Sequence, residues 1–207
     1  MISLNFLNIS ISDELIEALK LASKEVGIER VAVVGGVIRD NFVKTFLNQS
    51  LTSSKDLDIC VEGSAYALAK KIETNLGKER VSIIRINAKY STVQLIIDNL
   101  QIDIATARKE IYLSPGENPQ ITFGELEEDL GRRDFTINAM ALDLTSTSLI
   151  DPYNGRDAIK NRQLEFIHFK SVEEDPTRIV RGARYVSRLN LTITSESLKQ
   201  IKSTIKR

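Results

Sequence analysis

The sequence predicts an α/β fold of the α+β type, in which helices flank a mixed or antiparallel sheet. Two observations carry this prediction. Three β segments cluster between residues 81 and 105. Between the last two of them, Asp98, Asn99 and Leu100 give a tight-turn signal, which indicates a hairpin. A doubly wound dinucleotide-binding fold would instead alternate strands with helices, so this clustering argues against it.

The first third of the chain is predicted to place helices around two short strands. Residues 12–26 have the apolar period of a helix, and Ser12 or Asp13 is its N-cap. The elements that follow are a buried strand at 31–34, a glycine turn with a helix to about residue 47, a polar loop at 48–55, a strand at 57–61 and a helix at 64–76.

The rest of the chain is predicted to contain the sheet cluster and then mostly helices. Its elements are strands at 81–86, 92–97 and 101–105, a mobile loop at 107–124, a helical turn at 126–132, an apolar helix at 136–142, a turn at 151–155 and helices at 173–189 and 195–206. The helix at 173–189 has the clearest start, because Asp175 suits the N-cap and Pro176 the first helical position.

Composition limits the class of protein. The 207 residues suffice for one sizeable domain, or for one domain and part of a second. No apolar run approaches the roughly 20 residues that span a bilayer, and the N-terminus has no secretory signal pattern. Cys60 is the single cysteine, so an internal disulfide is excluded. These features favour a cytoplasmic protein with no membrane partner.

The charge distribution is uneven although the net charge is zero. Residues 160–207 contain 11 basic and 5 acidic side chains, whereas residues 1–159 contain 17 basic and 23 acidic ones. An acidic body that gathers metal and a basic end that binds polyanions would suit a nucleic-acid partner. A solvated basic helix is the more ordinary interpretation of the same pattern.

A pair of carboxylates is the most informative feature of the sequence. Asp56 and Asp58 lie two residues apart in a predicted strand, so their side chains leave the same face. Such a pair is usually neutralised by a divalent cation, here Mg²⁺. Asp103, in another predicted strand, is the candidate third acid, and Asp98 in the turn is its competitor. Three such carboxylates would bind two Mg²⁺ ions for phosphoryl chemistry. Exposed charges on an edge strand are the alternative.

The glycine turn after the first strand is the candidate phosphate site. Gly35 and Gly36 allow backbone N–H groups to approach an oxyanion, and the helix that follows adds a partial positive charge. Arg39 lies one turn into that helix and could bind a phosphate with a forked geometry. The turn has neither a Walker lysine nor a dinucleotide fingerprint. A plain strand-to-helix connection is therefore an equally open alternative.

Two arginine groups complete the candidate site. Arg132 and Arg133 beside Asp134 could clamp a triphosphate or a ribose, or they could form only a salt bridge at a helix start. Further along, arginines recur every three residues on one predicted helix. Their positions are Arg178, Arg181 and Arg184.

Asp175 and Arg178 could read the edge of a base. A carboxylate accepts from an exocyclic amine and a guanidinium donates to a ring nitrogen, which suits cytosine and adenine rather than uracil and guanine. An exposed basic face is the alternative. Tyr153 and Tyr185 could stack on a base, although core packing is their more ordinary role. His168 lies outside these motifs and is not expected to take part.

Taken together, five motifs resemble the class II tRNA nucleotidyltransferase and bacterial poly(A) polymerase family, whose head belongs to the DNA polymerase β superfamily. They occur in the family's order over roughly residues 30–188. The motifs are Gly35-Gly36-Val37-Ile38-Arg39-Asp40, Asp56-Leu57-Asp58, Leu130–Ala141, Asp151-Pro152-Tyr153-Asn154-Gly155 and Glu174-Asp175-Pro176-Thr177-Arg178.

The resemblance implies a role for each motif. Asp56 and Asp58 would hold Mg²⁺, Asp103 would be the third acid, and Asp175 with Arg178 would read the base. The remaining nucleotide-binding residues would be Gly35, Gly36, Arg39, Arg133, Arg181 and Arg184. A tRNA 3′-hydroxyl would attack the α-phosphate of CTP or ATP and release pyrophosphate.

The resemblance also implies two units, a nucleotidyltransferase head at residues 1–165 and the beginning of an all-helical neck at 166–207. Family members continue into helical domains that grip tRNA, whereas only about twenty residues follow the arginine helix here. We therefore expect either a truncated chain or reduced tRNA binding.

Three functions remain open on the sequence. They are a tRNA nucleotidyltransferase that adds C, A or CCA, a poly(A) polymerase, and a non-catalytic nucleotide- or RNA-binding module. Asn138-Ala139-Met140-Ala141 is closer to the tRNA-specific members. The intact Asp56 and Asp58 pair argues against the non-catalytic module.

Overall fold

A computed structural model describes residues 11–49, 51 and 56–205. In this part of the chain the helices are α1 (Asp13–Glu25), α2 (Gly36–Leu47), α3 (Ala65–Leu76), α4 (Leu126–Gly131), α5 (Gly155–Lys160), α6 (Ser171–Glu174), α7 (Thr177–Leu189) and α8 (Ser195–Ile205). The strands are β1 (Val31–Val34), β2 (Asp56–Val61), β3 (Val81–Asn87), β4 (Thr92–Ile97), β5 (Leu100–Thr106), β6 (Arg108–Ile111), β7 (Gln120–Phe123), β8 (Ala141–Asp143), β9 (Ser148–Ile150), β10 (Gln163–Leu164) and β11 (Thr192–Ile193).

A seven-stranded sheet in the order β3-β4-β5-β2-β1-β8-β9 organises the fold. The pair β2–β5 is parallel and the other neighbours in this sheet are antiparallel, which confirms the predicted mixed sheet. The β4–β5 hairpin turns at Asp98 and Asn99, whose φ angles of 47° and 71° suit a tight two-residue turn. The two strands that carry the candidate acids are therefore central neighbours.

The two faces of the sheet have different roles. On one face, apolar side chains such as Val33, Leu57, Ile59 and Ile104 join the main core, which also contains residues of α1 and α3. On the other face, Cys60 packs in a smaller cluster of alanines, leucines and a valine that includes residues of α4. Cys60 is a buried strand residue as expected, and burial raises the pKa of its thiol to about 12.

Most predicted elements are confirmed within one or two residues. Ser12 caps α1 by accepting a hydrogen bond from Leu15 N, and Ser64 caps α3 in the same way through Ala67 N. The predicted loop at 48–55 lies partly outside the described residues. Within the described ranges, no helix has both the length and the apolar character needed to cross a bilayer.

The prediction of an unstructured loop at 107–124 is wrong. The segment contains an antiparallel ribbon, β6–β7, in which Arg108 pairs with Phe123 and Ile111 with Gln120. The proline and glycine signals that suggested a loop mark only the connection between the two strands. The ribbon is a separate two-stranded sheet. The β6 side chains alternate between half-buried and exposed, whereas three of the four β7 residues are exposed, and Phe123 is 80% exposed.

The predicted apolar helix at 136–142 is also wrong. Only a 3₁₀ turn, Thr136–Asn138, forms there, and β8 follows it. The Asp134 carboxylate accepts hydrogen bonds from Phe135 N and Asn138 Nδ2, which closes the chain into a tight turn. The apolar residues beyond it pair with β1 in the sheet. A short apolar run does not distinguish a buried strand from a buried helix.

The predicted helix at 173–189 is two helices. α6 ends at Glu174, Asp175 is extended with φ −138° and ψ 93°, and α7 begins after Pro176. The residue before a proline is disfavoured in the helical conformation, which explains the break. The N-cap of α7 is Pro176, one residue later than predicted. Asp175 Oδ1 nevertheless accepts a hydrogen bond at 2.9 Å from the backbone N–H of Thr177, the first residue of the helix. Because of this break, the Asp175 side chain lies at the start of α7, where the hydrogen bond from Thr177 N holds it.

Candidate active site

A cleft of about 810 Å³ lies on the sheet face opposite the main core. The end of β1 and the middle of β2 and of β5 form its floor, and β6 and α7 form its walls. The sequence-predicted residues that line it are Gly35, Gly36, Arg39, Asp58, Asp103, Arg133, Asp175, Arg178 and Arg181. Arg132, Asp134 and Tyr185 also line it, whereas Arg184, His168 and Tyr153 are not among its lining residues.

The acids at the floor belong to the parallel pair β2–β5. Asp58 and Asp103 are Cα partners in that pair, so both side chains leave the same face. On β5, Asp103 Oδ1 accepts from Gln94 Nε2 at 2.9 Å, and Oδ2 accepts from Gln101 Nε2 at 3.4 Å. These amides fix the Asp103 carboxylate beside Asp58. Asp98, the competing third acid, instead pairs with Arg80 in the hairpin turn.

The Asp58 carboxyl is crowded although water reaches it. Burial raises its pKa, and the negative charges of Asp103 and Asp56 act in the same direction, while Arg133 and Arg39 oppose them. The exposed residues Asp56 and Asp58 alternate with buried Leu57, which confirms that both acids leave one face of β2. Asp56 lies outside the cleft lining. The site thus concentrates negative charge that a cation would relieve.

The donor set suits Mg²⁺, since its oxygen atoms are hard ligands. In the described ranges, no group of three His, Cys, Asp or Glu side chains is placed to hold one ion. The expected three-carboxylate cage is therefore not preformed among these residues. Two carboxylates are enough when substrate phosphates supply the other oxygens, which is the usual arrangement for Mg²⁺.

The glycine turn lies directly against the acids. Gly35 has φ 74° and ψ −131° and precedes α2, whose first N–H groups have no partner within the helix. A Cβ atom at Gly35 would lie 3.2 Å from Asp58 Oδ2 and 3.5 Å from Arg133 Nη1. Only glycine combines this backbone conformation with this close approach, so the turn brings helix N–H groups beside the acids.

Arg39 is buried between α2 and its neighbours. Its Nη1 donates to Asn138 Oδ1 at 2.7 Å, its Nε donates to Asp40 Oδ1 at 2.7 Å, and its guanidinium lies 5.0 Å from the Tyr185 ring centroid. These contacts hold its charge at the cleft wall. They also join α2, the 3₁₀ turn and α7 around the site.

The paired arginines are held by an acid that the sequence reasoning missed. Asp129 is 1% exposed and accepts from Arg132 Nη2 at 2.7 Å and from Arg133 Nη2 at 3.0 Å. Burial alone would raise its pKa, but the charges of Arg133 and Arg132 outweigh burial and lower it. The sequence did contain a signal for this acid, because Asp129 lies three and four residues before Arg132 and Arg133, the spacing at which side chains meet on a helix.

The same network reaches the ribbon. Glu110 Oε1 lies 3.2 Å from Arg132 Nη1 and 2.7 Å from Arg108 Nη2. Tyr112 donates to Glu110 Oε2 at 3.0 Å, and burial together with the Glu110 charge raises the pKa of Tyr112 to about 12. A chain of ion pairs, from Arg108 through Glu110, Arg132 and Asp129 to Arg133, therefore connects β6 to the residues around Asp58.

Arg178 lines the cleft and has a buried polar atom without a hydrogen-bond partner. The residue is 3% exposed, and its Nη2 donates to the Arg132 carbonyl oxygen at 2.9 Å. Its buried Nη1 has no hydrogen-bond partner. The Nε atom lies 3.8 Å from Asp175 Oδ2, while Asp175 Oδ1 is occupied by Thr177. The unpaired donor of Arg178 and the Oδ2 atom of Asp175 thus belong to neighbouring residues that line the same cleft.

The other two arginines of α7 have different positions. Arg181 Nε lies 2.8 Å from Asp134 Oδ2 as an ion pair at the cleft wall. Arg184 is exposed and does not line the cleft, since successive steps of three residues rotate around the helix. Its expected role in nucleotide binding remains a prediction. Tyr185 lines the cleft and packs edge-on against Phe135, so it combines core packing with exposure to the site.

Known proteins share this arrangement in sequence and fold. The model of the poly(A) polymerase head domain matches residues 31–165. An A-adding tRNA nucleotidyltransferase of Halalkalibacterium halodurans is 36% identical over 76% of this chain and 35% of its own length. A CC-adding tRNA nucleotidyltransferase of Deinococcus radiodurans is 34% identical over 83% of this chain and 44% of its own length.

A solved structure of a CCA-adding enzyme without ligand superposes with a TM-score of 0.83 at 31% identity. It covers 98% of this chain, and the chain covers 46% of it. The chain thus spans less than half of each of these proteins. The family match extends over more than half of the chain and contains the glycine turn, the acids and the paired arginines. The chain therefore belongs to the poly(A) polymerase head domain family, which confirms its resemblance to class II tRNA nucleotidyltransferases.

Proposed function

We propose that this chain adds C, A or both to the 3′ end of tRNA, by nucleotidyl transfer from CTP or ATP with release of pyrophosphate. The observation that carries the proposal is the cleft in which Asp58 and Asp103 stand as strand neighbours beside Gly35 and the free Nη1 of Arg178. The acids, the glycine turn that would bind phosphate, and the Asp175 and Arg178 pair that would bind a base thus line one cleft. The names of the similar proteins support tRNA as the acceptor.

The nucleotide would lie with its triphosphate toward α2. The unpaired N–H groups at the start of α2 would donate to phosphate oxygens, and Arg39 and Arg133 would supply positive charge from two sides. Arg133 is held by Asp129, so its position is fixed before the substrate binds. Preorganised charge of this kind is the main source of stabilisation in phosphoryl transfer.

Asp56 and Asp58 would hold Mg²⁺ together with phosphate oxygens, and the ion would neutralise the charge that develops on the transferring group. The attacking 3′-oxygen forms a bond to the α-phosphorus, and the bond from that phosphorus to the pyrophosphate oxygen breaks. Asp103 lies beside Asp58, where its carboxylate would orient the attacking hydroxyl and accept its proton. Gln94 and Gln101 keep that carboxylate in place.

Asp175 and Arg178 would select the base. Arg178 Nη1 would donate to the ring nitrogen of cytosine or adenine, and Asp175 Oδ2 would accept from the neighbouring amine. Uracil and guanine present a carbonyl beside an N–H, which would place donor against donor and acceptor against acceptor. Arg181 and Tyr185 line the cleft on the same helix and would contact the nucleotide there. Arg184 would bind the nucleotide from outside the cleft.

We also propose that residues 1–165 form the nucleotidyltransferase head and that 166–207 begin an all-helical neck. The family match ends at residue 165, and the helices α6, α7 and α8 follow, which supports this division. The two-residue strand β11 between α7 and α8 pairs with β10 of the proposed head, so the segment 166–207 is mostly rather than wholly helical. The base-reading helix α7 would then belong to the neck, and the cleft would lie where the two units meet. Because tRNA and nucleoside triphosphates are its substrates, we place the protein in the cytoplasm.

The test is to incubate the 207-residue chain and Mg²⁺ with a tRNA that lacks its 3′-terminal CCA. CTP and ATP are offered separately and together, and product length is read at single-nucleotide resolution. One to three added residues ending in C or A support the proposal. Long adenylate tails on unrelated RNAs would instead assign poly(A) polymerase activity. Nucleotide binding with no extension, indistinguishable from an Asp58→Asn variant, would assign a non-catalytic module.

A further inference from the structure

The cleft extends past the acids to a tyrosine that the proposed nucleotide site does not use. The strands that carry the site lie in the order β1, β2, β5, β4 across the sheet. The glycine turn follows β1, Asp58 and Asp103 lie on β2 and β5, and Tyr90 precedes β4. Tyr90 and Arg108 line the same cleft. Because Arg39, at the β1 side, contacts Tyr185 of α7, that side is where the incoming nucleotide would lie. Tyr90 therefore lies on the opposite side of the acids.

The Tyr90 ring is held in place by its surroundings. Its backbone N–H donates to Asn87 Oδ1 at 3.4 Å, and its carbonyl oxygen accepts from Arg108 Nη1 at 3.3 Å. The Arg108 guanidinium carbon lies over the Tyr90 ring, 5.2 Å from its centroid, and Lys89 Nζ also lies over the ring at 5.2 Å. Arg108 is itself fixed by Glu110. The half-buried Tyr90 ring and its two cations therefore have defined positions before any ligand binds.

We propose that Tyr90, Lys89 and Arg108 form the subsite for the 3′-terminal nucleotide of the RNA acceptor. The inference rests on the proposed function, because transfer requires an acceptor hydroxyl at Asp103 on the side away from the triphosphate. A base would stack on the Tyr90 ring once the exposed Lys89 side chain moves off it, and Lys89 and Arg108 would then contact the phosphate that precedes that base. The subsite therefore takes single-stranded RNA ends without reading their sequence.

Binding measurements on the whole chain separate this subsite from the nucleotide site. The probe is a short oligoribonucleotide with 2-aminopurine as its 3′-terminal base, whose fluorescence is quenched when the base stacks. The dissociation constants of this probe and of CTP with Mg²⁺ are measured for the wild type, Tyr90→Ala and Tyr90→Phe. Tyr66→Ala is the matched control, because Tyr66 is an exposed tyrosine on α3 outside the cleft.

We expect Tyr90→Ala to weaken probe binding by about tenfold, the size expected when a base loses an aromatic partner, and to remove the quenching. The dissociation constant of CTP should stay within about twofold, and Tyr90→Phe and Tyr66→Ala should match the wild type. An unchanged probe constant overturns the inference. So does an equal loss of CTP affinity, which would move Tyr90 to the nucleotide site.

A wild-type chain that binds CTP but not the probe also overturns the inference. A chain that shows the expected binding pattern but extends no tRNA counts against the proposed function and leaves the RNA subsite supported.

Discussion

Asp58 and Asp103 face each other across the only parallel strand pair of the seven-stranded sheet in the described part of the chain. Their strands are separated in sequence by a helix and a hairpin, yet their Cα atoms are partners in the register. Burial raises the pKa of Asp58, and the negative charge of Asp103 acts in the same direction. A fold keeps such a pair at a cleft floor at the expense of stability, which is typical of a functional site.

Replacing the central acid should abolish transfer without abolishing nucleotide binding. For Asp58→Asn we expect the transfer rate to fall by about a thousandfold or more, because charge stabilisation by a bound metal contributes several kcal/mol to the transition state. The dissociation constant of CTP should change by less than about fivefold. Asp98→Asn is the control, since Asp98 pairs with Arg80 away from the cleft. Transfer near the wild-type rate at saturating Mg²⁺ would reject the assignment of Asp58.

Removing the buried donor of α7 should relax the choice of base. We expect Arg178→Ala to lower the preference for CTP and ATP over UTP and GTP, since one good base contact contributes roughly 1–3 kcal/mol of discrimination. The measurement is kcat/KM for each of the four nucleotides. Arg184→Ala, an exposed position on the same helix, should leave the preference unchanged.

Arg178 also supports the Arg132 carbonyl, so Arg178→Lys is needed as a second variant that keeps the charge and much of the packing. It should lose discrimination while it retains the wild-type melting temperature. If both variants keep full selectivity, Arg178 does not read the base.

A methyl group at the glycine turn should damage the site more than the fold. Gly35→Ala strains a backbone with positive φ, at a cost of about 1–3 kcal/mol, and its Cβ would also press against Asp58 and Arg133. Gly27→Ala provides the matched control, because Gly27 has a similar φ of +71° and open space around its Cβ position. Both variants should unfold at lower denaturant concentration, but only Gly35→Ala should lose transfer activity. Equal activity of the two would mean that the close approach has no catalytic consequence.

The buried acid behind the arginines should stabilise the fold in a pH-dependent way. Asp129→Asn leaves Arg132 and Arg133 without their counter-charge, so we expect the free energy of unfolding to fall by about 3 kcal/mol at pH 7. The folded pKa of Asp129 lies below its ordinary value of 3.8. Its contribution is therefore complete above that value and is lost as the pH falls through the folded pKa.

Urea unfolding of the two proteins at pH 7 and near pH 3 measures this contribution. The difference between wild type and Asp129→Asn should be large at pH 7 and smaller at the acid end. A difference that is independent of pH, or that grows as the pH falls, would contradict the ion-pair explanation.

Local signals in the sequence were sufficient for much of the scaffold. The buried run 31–34, the glycines after it and the alternation around Asp56 and Asp58 depend on neighbouring residues only, and the structure shows β1, the turn and β2 there. The hydrogen bond from Thr177 N to Asp175 Oδ1 at the start of α7 is equally local. These features follow from backbone preferences and side-chain periods of two or 3.6 residues.

Errors arose where distant strands decided the conformation. The segment at 136–142 is apolar enough for a helix, but pairing with β1 makes its second half a strand. The ribbon at 108–123 was missed because the partly buried face of β6 carries the charged residues Arg108 and Glu110 rather than apolar ones, so no hydrophobic period marked it. Propensity is a weak guide where tertiary pairing supplies the backbone partners.

By itself, the sequence determined the family, the order of the motifs, the paired acids on one strand face and the glycine that allows a close approach. Only the tertiary structure decided that Asp103 rather than Asp98 faces Asp58, that Asp129 holds the two arginines, and that Arg178 rather than Arg184 lines the cleft. The reason is physical. A side chain's direction follows from its local period, but its partners depend on strand register and helix packing, which the burial of the whole core fixes together.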